Sequence, residues 1–334
     1  MGPENVTGPP CLPGSRTKFH MGIRGLNSFL KWKVPNARTS LVWTKYSGQT
    51  WGIDCSSILY RARAANLSPI TVLASLLVRM RQAGIRAICI FDGRPPAAKS
   101  ETVEQRRAVR EAAHKEMAEI RSDMSDRTLT ITEKVAMEGR HAALQKKAPV
   151  ISGGDKEDVK NLLYAAGTQF VTAYGEADDV LAYLCRTGQI QAVISTDMDM
   201  LARGVPLLVI PETHDSSVLT AIRLADVLSG LGLTYEMFVD ACVLMGTDYS
   251  SKGSRPMEPK AAIVAAQKGV DWTVHDPVGR DQLLGTGITW TEIVSEKQRA
   301  KWDLGAPPCE KETLASLVVL HRWPANWYTI LGST

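Results

Sequence analysis

The chain has 334 residues, 44% hydrophobic and 22% charged, with a formal net charge of +4. This is the composition of an ordinary folded protein of one large or two modest domains at roughly 150 residues each, and it argues against global disorder. No run approaches the roughly eighteen apolar residues of a membrane span, and the first residues lack the apolar core of a secretory signal. The six cysteines (11, 55, 89, 185, 242, 309) form no C-x-x-C pair. That argues against a disulfide framework or a structural zinc, and for a reducing, intracellular compartment. The mild basic excess permits a nucleic-acid partner without requiring one.

Residues 1–20 are rich in Pro and Gly, lack periodicity and read as a flexible tail. From Met21, MGIRGLNSFLKW takes on helical spacing. Short apolar runs (TWGI, AICIF, AVIS, PLLVI) then read as strands, and the stretches between them (SSILYRARAANL, PITVLASLLVRMRQAG, ADDVLAYLCRTG) as helices. Such alternation predicts an α/β fold, a mostly parallel central sheet with helices on both faces. From Lys99 to Lys147 the sequence is helix-prone but unusually charged, which describes a helical pair that is either solvated or supported by a partner. YEMFVDACVLMG is helical again, SSKGSRPMEP is turn-rich, and AAIVAAQKG is a further helix. Residues 271–334 carry no chemical signature, and no internal repeat is present.

The informative feature is where the acids fall. Asp54 follows TWGI, Asp92 follows AICIF, and Asp197 and Asp199 follow AVIST, each at the carboxyl end of an expected parallel strand. In open α/β sheets ligands bind along that edge. Glu176 and Asp178 open a helix after Tyr174-Gly175, where a first turn can aim both into one cleft. Asp179 shares the face of Glu176, and Asp248 follows an apolar helix. Any one of these acids alone reads more readily as a helix cap or turn residue, but caps have no reason to recur at strand ends. Carboxylates crowded this way require cations, for which Mg2+ or Mn2+ with oxygen ligands is suited. Two such ions about 3.5–4 Å apart can clamp both oxygens of a phosphodiester displacement. These motifs contain no histidine, which disfavours zinc.

The same residues resemble the flap endonuclease (XPG-like) family of 5′ nucleases over about residues 21–270. MGIRGL, IDCSSILYR, FDGRPPAAKS, GEADD, TDMDML and LMGTDY occur in the family's order. The resemblance implies a PIN/flap-endonuclease-like fold with a helical arch at about 94–147, a helix–hairpin–helix-like region at about 236–270, and residues 271–334 as an extension. It places Asp54, Asp92, Glu176, Asp178, Asp197, Asp199 and Asp248 in the metal-site positions for two Mg2+ ions, replaceable by Mn2+. Asp54, Asp92, Glu176 and Asp178 would hold the first ion, with the other three nearer the second. Members with E-A-D-D make Asp179 an eighth ligand, directly or through water. Lys99 and Arg106 match the family's catalytic basic positions. Arg94, Arg110 and Lys260 are the expected nucleic-acid contacts, Arg110 on the same helix face as Arg106.

Three departures stand beside the resemblance. Residues 1–20 precede the family's initiator at Met21, and the glycine motif of the hairpin is replaced by Pro256-Met257-Glu258-Pro259-Lys260. No sliding-clamp peptide is evident at the end of the chain. Such departures would suit a divergent member from a large DNA virus. The expected activity is metal-dependent cleavage of flapped or branched DNA in replication, repair or recombination. The alternatives are RNA cleavage on the same fold and a non-catalytic nucleic-acid-binding or assembly factor. No membrane partner is expected, and nucleus and cytoplasm stay open as locations.

Overall fold

The computed structural model describes residues 22–95, 100–125, 129–213, 215, 217–248, 255–272, 278–285 and 287–333. The expected tail, Met21 and Lys99 lie outside these residues. Among the described residues seven strands form one sheet: β1 (Arg38–Ser40), β2 (Thr50–Asp54), β3 (Arg86–Phe91), β4 (Gln169–Thr172), β5 (Ala192–Ile194), β6 (Leu207–Pro211) and β7 (Leu219–Arg223). Their order is β1-β7-β6-β5-β2-β3-β4. The five strands from β6 to β4 are parallel, with Ile53 opposite both Cys89 and Ile194, and β7 and β1 close one edge antiparallel. The chain leaves β2 toward β3 on one side and leaves β5 toward β6 on the other. The β2–β5 junction is therefore the topological switch point, where a crevice opens at the carboxyl ends of the strands.

The helices in chain order are α1 (Leu26–Lys33), α2 (Cys55–Ala64), α3 (Pro69–Gln82), α4 (Ser100–Met124), α5 (Ile131–Lys147), α6 (Gly153–Ala165), α7 (Ala177–Arg186) and α8 (Asp199–Ala202). They are followed by α9 (Leu224–Leu231), α10 (Tyr235–Met245), α11 (Pro259–Lys268), α12 (Val278–Leu284), α13 (Trp290–Ile293), α14 (Glu296–Asp303), α15 (Lys311–Leu320) and α16 (Asn326–Leu331). Two apolar layers sandwich the sheet. Leu26, Leu181, Met200 and Phe238 cover the face of Ile88, Ile90 and Val193. Leu59, Leu73, Met80, Leu162 and Leu314 cover the face of Ile53, Cys89 and Ile194. The central strands read as unbroken apolar runs because both of their faces are buried. Each fully buried Leu or Ile contributes about 1.5–3 kcal/mol.

Three strands escape sequence reading. β4 is short and flanked by polar residues, and the antiparallel pairing of β1 with β7 is set by tertiary position more than by pattern. The charged stretch forms α4 and α5, which support one another. Ala113 and Ile120 are buried, Glu116 holds Arg140, and His114 Nε2 meets the Ala148 carbonyl at 3.2 Å. The segment after residue 270 has a structural role that its sequence does not announce. Trp290 stacks on Tyr183 (5.4 Å, 26°), and the Ile293 carbonyl accepts the Tyr174 N–H at 2.7 Å. Farther on, Trp323 Nε1 donates to Thr71 Oγ1 at 3.0 Å, and Arg81 binds the Leu331 and Ala166 carbonyls.

Candidate active site

Asp248 follows the end of α10, and every other acid on the rim is placed by a strand end or a helix start. Asp54 ends β2 and caps α2, its Oδ1 accepting the Ser57 N–H at 3.0 Å and its Oδ2 accepting the Ser195 hydroxyl at 2.8 Å. Ser57 also binds the β5 loop, accepting the Thr196 N–H at 2.9 Å. The two serines thereby lock the switch point around Asp54. Asp92, exposed just past β3, accepts the Ala177 N–H at 2.9 Å and so caps α7 from a neighbouring strand. Glu176 is the N-cap residue of α7, in extended conformation, with Asp178 and Asp179 in the first turn. The cap reading and the site reading thus coincide at Asp54 and Asp92: the caps draw the helix starts to the strand ends.

Gly93 makes this meeting possible. A Cβ there would collide with the carbonyl oxygens of Ala173 and Tyr174, and its N–H donates to the Gly175 carbonyl at 2.7 Å. Gly22 does the same on the other side. It adopts φ +73°, and a Cβ would sit 2.5 Å from Asp197 Oδ1 and 2.6 Å from Asp199 Oδ1. The neighbouring Ile23 N–H donates to Asp199 Oδ1 at 2.6 Å. Asp197 Oδ1 accepts the Asp199 N–H at 2.9 Å, and the Asp197 N–H donates to Ser195 Oγ at 3.1 Å. The beginning of the described chain is therefore packed directly against the rim.

Electrostatics mark these acids as a coupled set. Burial, then the charges of Asp92 and Asp197, push the Asp54 carboxyl up to about 7. Burial and Asp197 raise Asp178 well above the usual carboxylate range, against the pull of Arg203. Asp199 is raised the same way, with Asp248 adding to the repulsion. Seven of the expected acids, Asp54, Asp92, Glu176, Asp178, Asp197, Asp199 and Asp248, are thus brought to one rim. Asp179 lies beside them, but its Oδ1 accepts a hydrogen bond from Arg203 Nη1 at 2.5 Å.

This donor set fits a hard divalent cation: every donor is oxygen, and the mutual repulsion is what such a cation relieves. Among the described residues no three His, Cys, Asp or Glu side chains are gathered closely enough to hold an ion directly. Magnesium keeps several waters, so carboxylates set farther apart can still hold it through them.

The expected basic residues are placed unevenly. Lys99 lies outside the described residues; Arg106 is on α4, but its side chain also lies outside them. Arg110, half-buried, lines a groove of about 490 Å³ with Tyr60, Arg107, His114, Val150 and Ile151. Arg107 is engaged by Glu111 at 2.7 Å. Arg94 is exposed in the Gly93 loop, and Lys260 is exposed at the second position of α11. Sequence reasoning missed Gly22, Ser57, Ser195, Tyr60 and Arg203 as site residues. Arg203 had a signal, a lone charge inside the apolar run MLARGVPLLVI.

Comparison with known proteins places this geometry. Residues 21–113 match the XPG N-terminal domain and residues 167–248 the XPG I-region. Flap endonuclease 1-2 of Paramecium tetraurelia is 30% identical over 250 residues, covering 70% of this chain and 61% of that protein. The chain therefore spans less than two thirds of that relative. The fold matches the catalytic core of Rad2 in complex with DNA substrate, with a TM-score of 0.59 and 16% identity over 93% of this chain and 99% of that one. It also matches the Holliday junction-resolving enzyme GEN1 in complex with product DNA and Mg2+, with a TM-score of 0.55 and 17% identity over 89% of this chain and 72% of that one. With both family segments placed around the acid rim, the chain belongs to the XPG-like flap endonuclease family.

Proposed function

We propose that the protein is a divalent-metal-dependent, structure-specific nuclease that hydrolyses phosphodiester bonds in flapped or branched DNA from the 5′ side, in replication, repair or recombination. The observation that carries this reading is the set of seven acids from five chain segments at the switch-point crevice, three of them pushed upward by burial and mutual repulsion. The family relation supports it, as does the GEN1 relative, whose structure holds product DNA and Mg2+.

Asp54, Asp92, Glu176 and Asp178 would hold one Mg2+, with Asp197, Asp199 and Asp248 nearer a second. The ions supply charge neutralisation and Lewis acidity at the scissile phosphate. The chain's own residues do the rest. Ser57 and Ser195 fix both oxygens of Asp54, and the Ile23 N–H fixes Asp199. Arg110 and Tyr60 give the groove a cation and an aromatic face, the pairing that suits the backbone and bases of a single strand. Lys99 and Arg106 are assigned by the family motif to the scissile phosphate, and Arg94 and Lys260 to outlying backbone contacts.

An end-labelled 5′ DNA flap incubated with Mg2+ or with EDTA tests the proposal: we expect cutting near the junction with Mg2+ and none with EDTA. A matched RNA flap belongs on the same gel. Glu258 at the N-cap of α11 favours that second reading, since an acid there repels a duplex phosphate from the helix start. Exclusive RNA cutting would reassign the substrate, and no cutting of either would leave a binding protein.

A further inference from the structure

Arg203 is an unusual residue to find where it is. Its side chain is 2% exposed, among the largest fully buried side chains in the molecule. It follows α8 directly, and its N–H donates to the Asp199 carbonyl at 2.9 Å, closing the turn that Asp199 opens. The Tyr235 hydroxyl pins the same turn by donating to the Ala202 carbonyl at 2.8 Å. From this fixed base the guanidinium reaches the first turn of α7. Nη1 lies 2.5 Å from Asp179 Oδ1 and Nη2 lies 3.9 Å from Glu176 Oε2. The two acids are three residues apart on one helix face, so a single planar cation spans both.

We propose that Arg203 is a positioning residue that sets the charge of the rim. It keeps Asp179 out of the metal shell and ties the start of α7, which carries Glu176, to α8, which carries Asp199. A carboxylate oxygen engaged in a short charge-assisted bond to a guanidinium is withheld from a metal. The remaining acids are then the ones that face a cation. The assignment rests on the metal-dependent reading of the rim given above.

The pair makes an uncommon prediction because its two halves push in opposite directions. Arg203→Met releases Asp179 and removes a positive charge, so Mn2+ should bind about tenfold more tightly. Asp179→Asn leaves Arg203 to close on Glu176, so Mn2+ should bind about tenfold more weakly. The double variant, which removes both charges, should return to within about threefold of wild type, because removing a whole buried pair is tolerated where breaking it is not. Calorimetric titration of Mn2+ into the full chain gives these affinities independently of cleavage. The Mg2+ concentration for half-maximal flap cleavage gives a second readout that should shift in the same directions. A residue that only stabilises the fold would weaken binding in both single variants. If Arg203→Met fails to fold, Asp179→Asn and the neutral double variant still carry the comparison. Wild type that binds Mn2+ while both single variants shift the same way, or not at all, would overturn the role of Arg203 alone. Wild type that binds no Mn2+ would overturn the reading of the rim beneath it, and the Arg203 assignment with it.

Discussion

Asp54 and Asp155 are the same side chain at the start of a helix, and their surroundings treat them oppositely. Asp155 sits in the first turn of α6, where it accepts the Ser152 N–H at 2.8 Å and pairs with Arg63. Burial pushes it up, but Arg63 and Ser152 hold it below the usual carboxylate range. Asp54 also caps a helix, yet burial and the charges of Asp92 and Asp197 push it up to about 7. Asp155 is completed by a cation from its own chain. The acids around Asp54 push one another's carboxyls up, and in the proposed metal-dependent reading a cation from outside relieves them. The two carboxylates differ in the sign of the charges packed beside them.

Among the residues that support the rim acids, the largest effect is expected at Gly22. Gly22→Ala would drive a Cβ into Asp197 and Asp199 and lower flap cleavage about a hundredfold at saturating Mg2+, the scale on which small misplacements act. Single-turnover kinetics would measure it, and unchanged turnover would remove Gly22 from the site. Asp155→Ala is expected to do the reverse. It should cost about 1–2 kcal/mol of stability in urea unfolding, the loss of a cap and a partly exposed ion pair, while cleavage per folded molecule stays as in wild type.

The smallest expected effect is on pH dependence without metal. Asp54 has a folded value of about 7 against an ordinary 3.8. Between those values the folded protein holds a proton that the unfolded chain has released, so stability falls as pH rises from about 4 through about 7. Metal-free protein should therefore melt about 3 °C higher at pH 5 than at pH 7.5, and saturating Mg2+ should cancel the difference by stabilising the ionised rim. A melting point that rises with pH in EDTA would contradict this. Asp155 stays ionised across that window and does not contribute.

Much of this contrast is legible in the sequence, for a physical reason. Strands buried on both faces leave long apolar runs, so β2, β3, β5 and β6 stand out, and with them the acids at their ends. The motif order then fixes which acids belong together. What stays hidden depends on packing. β1 is an edge strand and β7 the strand beside it, and neither has a distinctive pattern. The segment after residue 270 looks featureless, yet Ile293 supports the backbone just before Glu176. Ser195 is an ordinary strand-end serine until Asp54 is placed opposite it, and Gly22 matters because the fold brings it against two carboxylates. Asp179 shows the limit most clearly. The motif E-A-D-D marks it as a ligand, and the side chain that engages it lies 24 residues away at Arg203.

That the rim acids serve chemistry beyond any capping role is tested by Asp197→Ala measured against wild type for cleavage, flap binding and melting temperature. Cleavage is expected to be abolished, flap binding to stay measurable, and the melting temperature to be unchanged or raised as repulsion on Asp54, Asp178 and Asp199 is relieved. Turnover equal to wild type, or loss of cleavage only through unfolding, would contradict it.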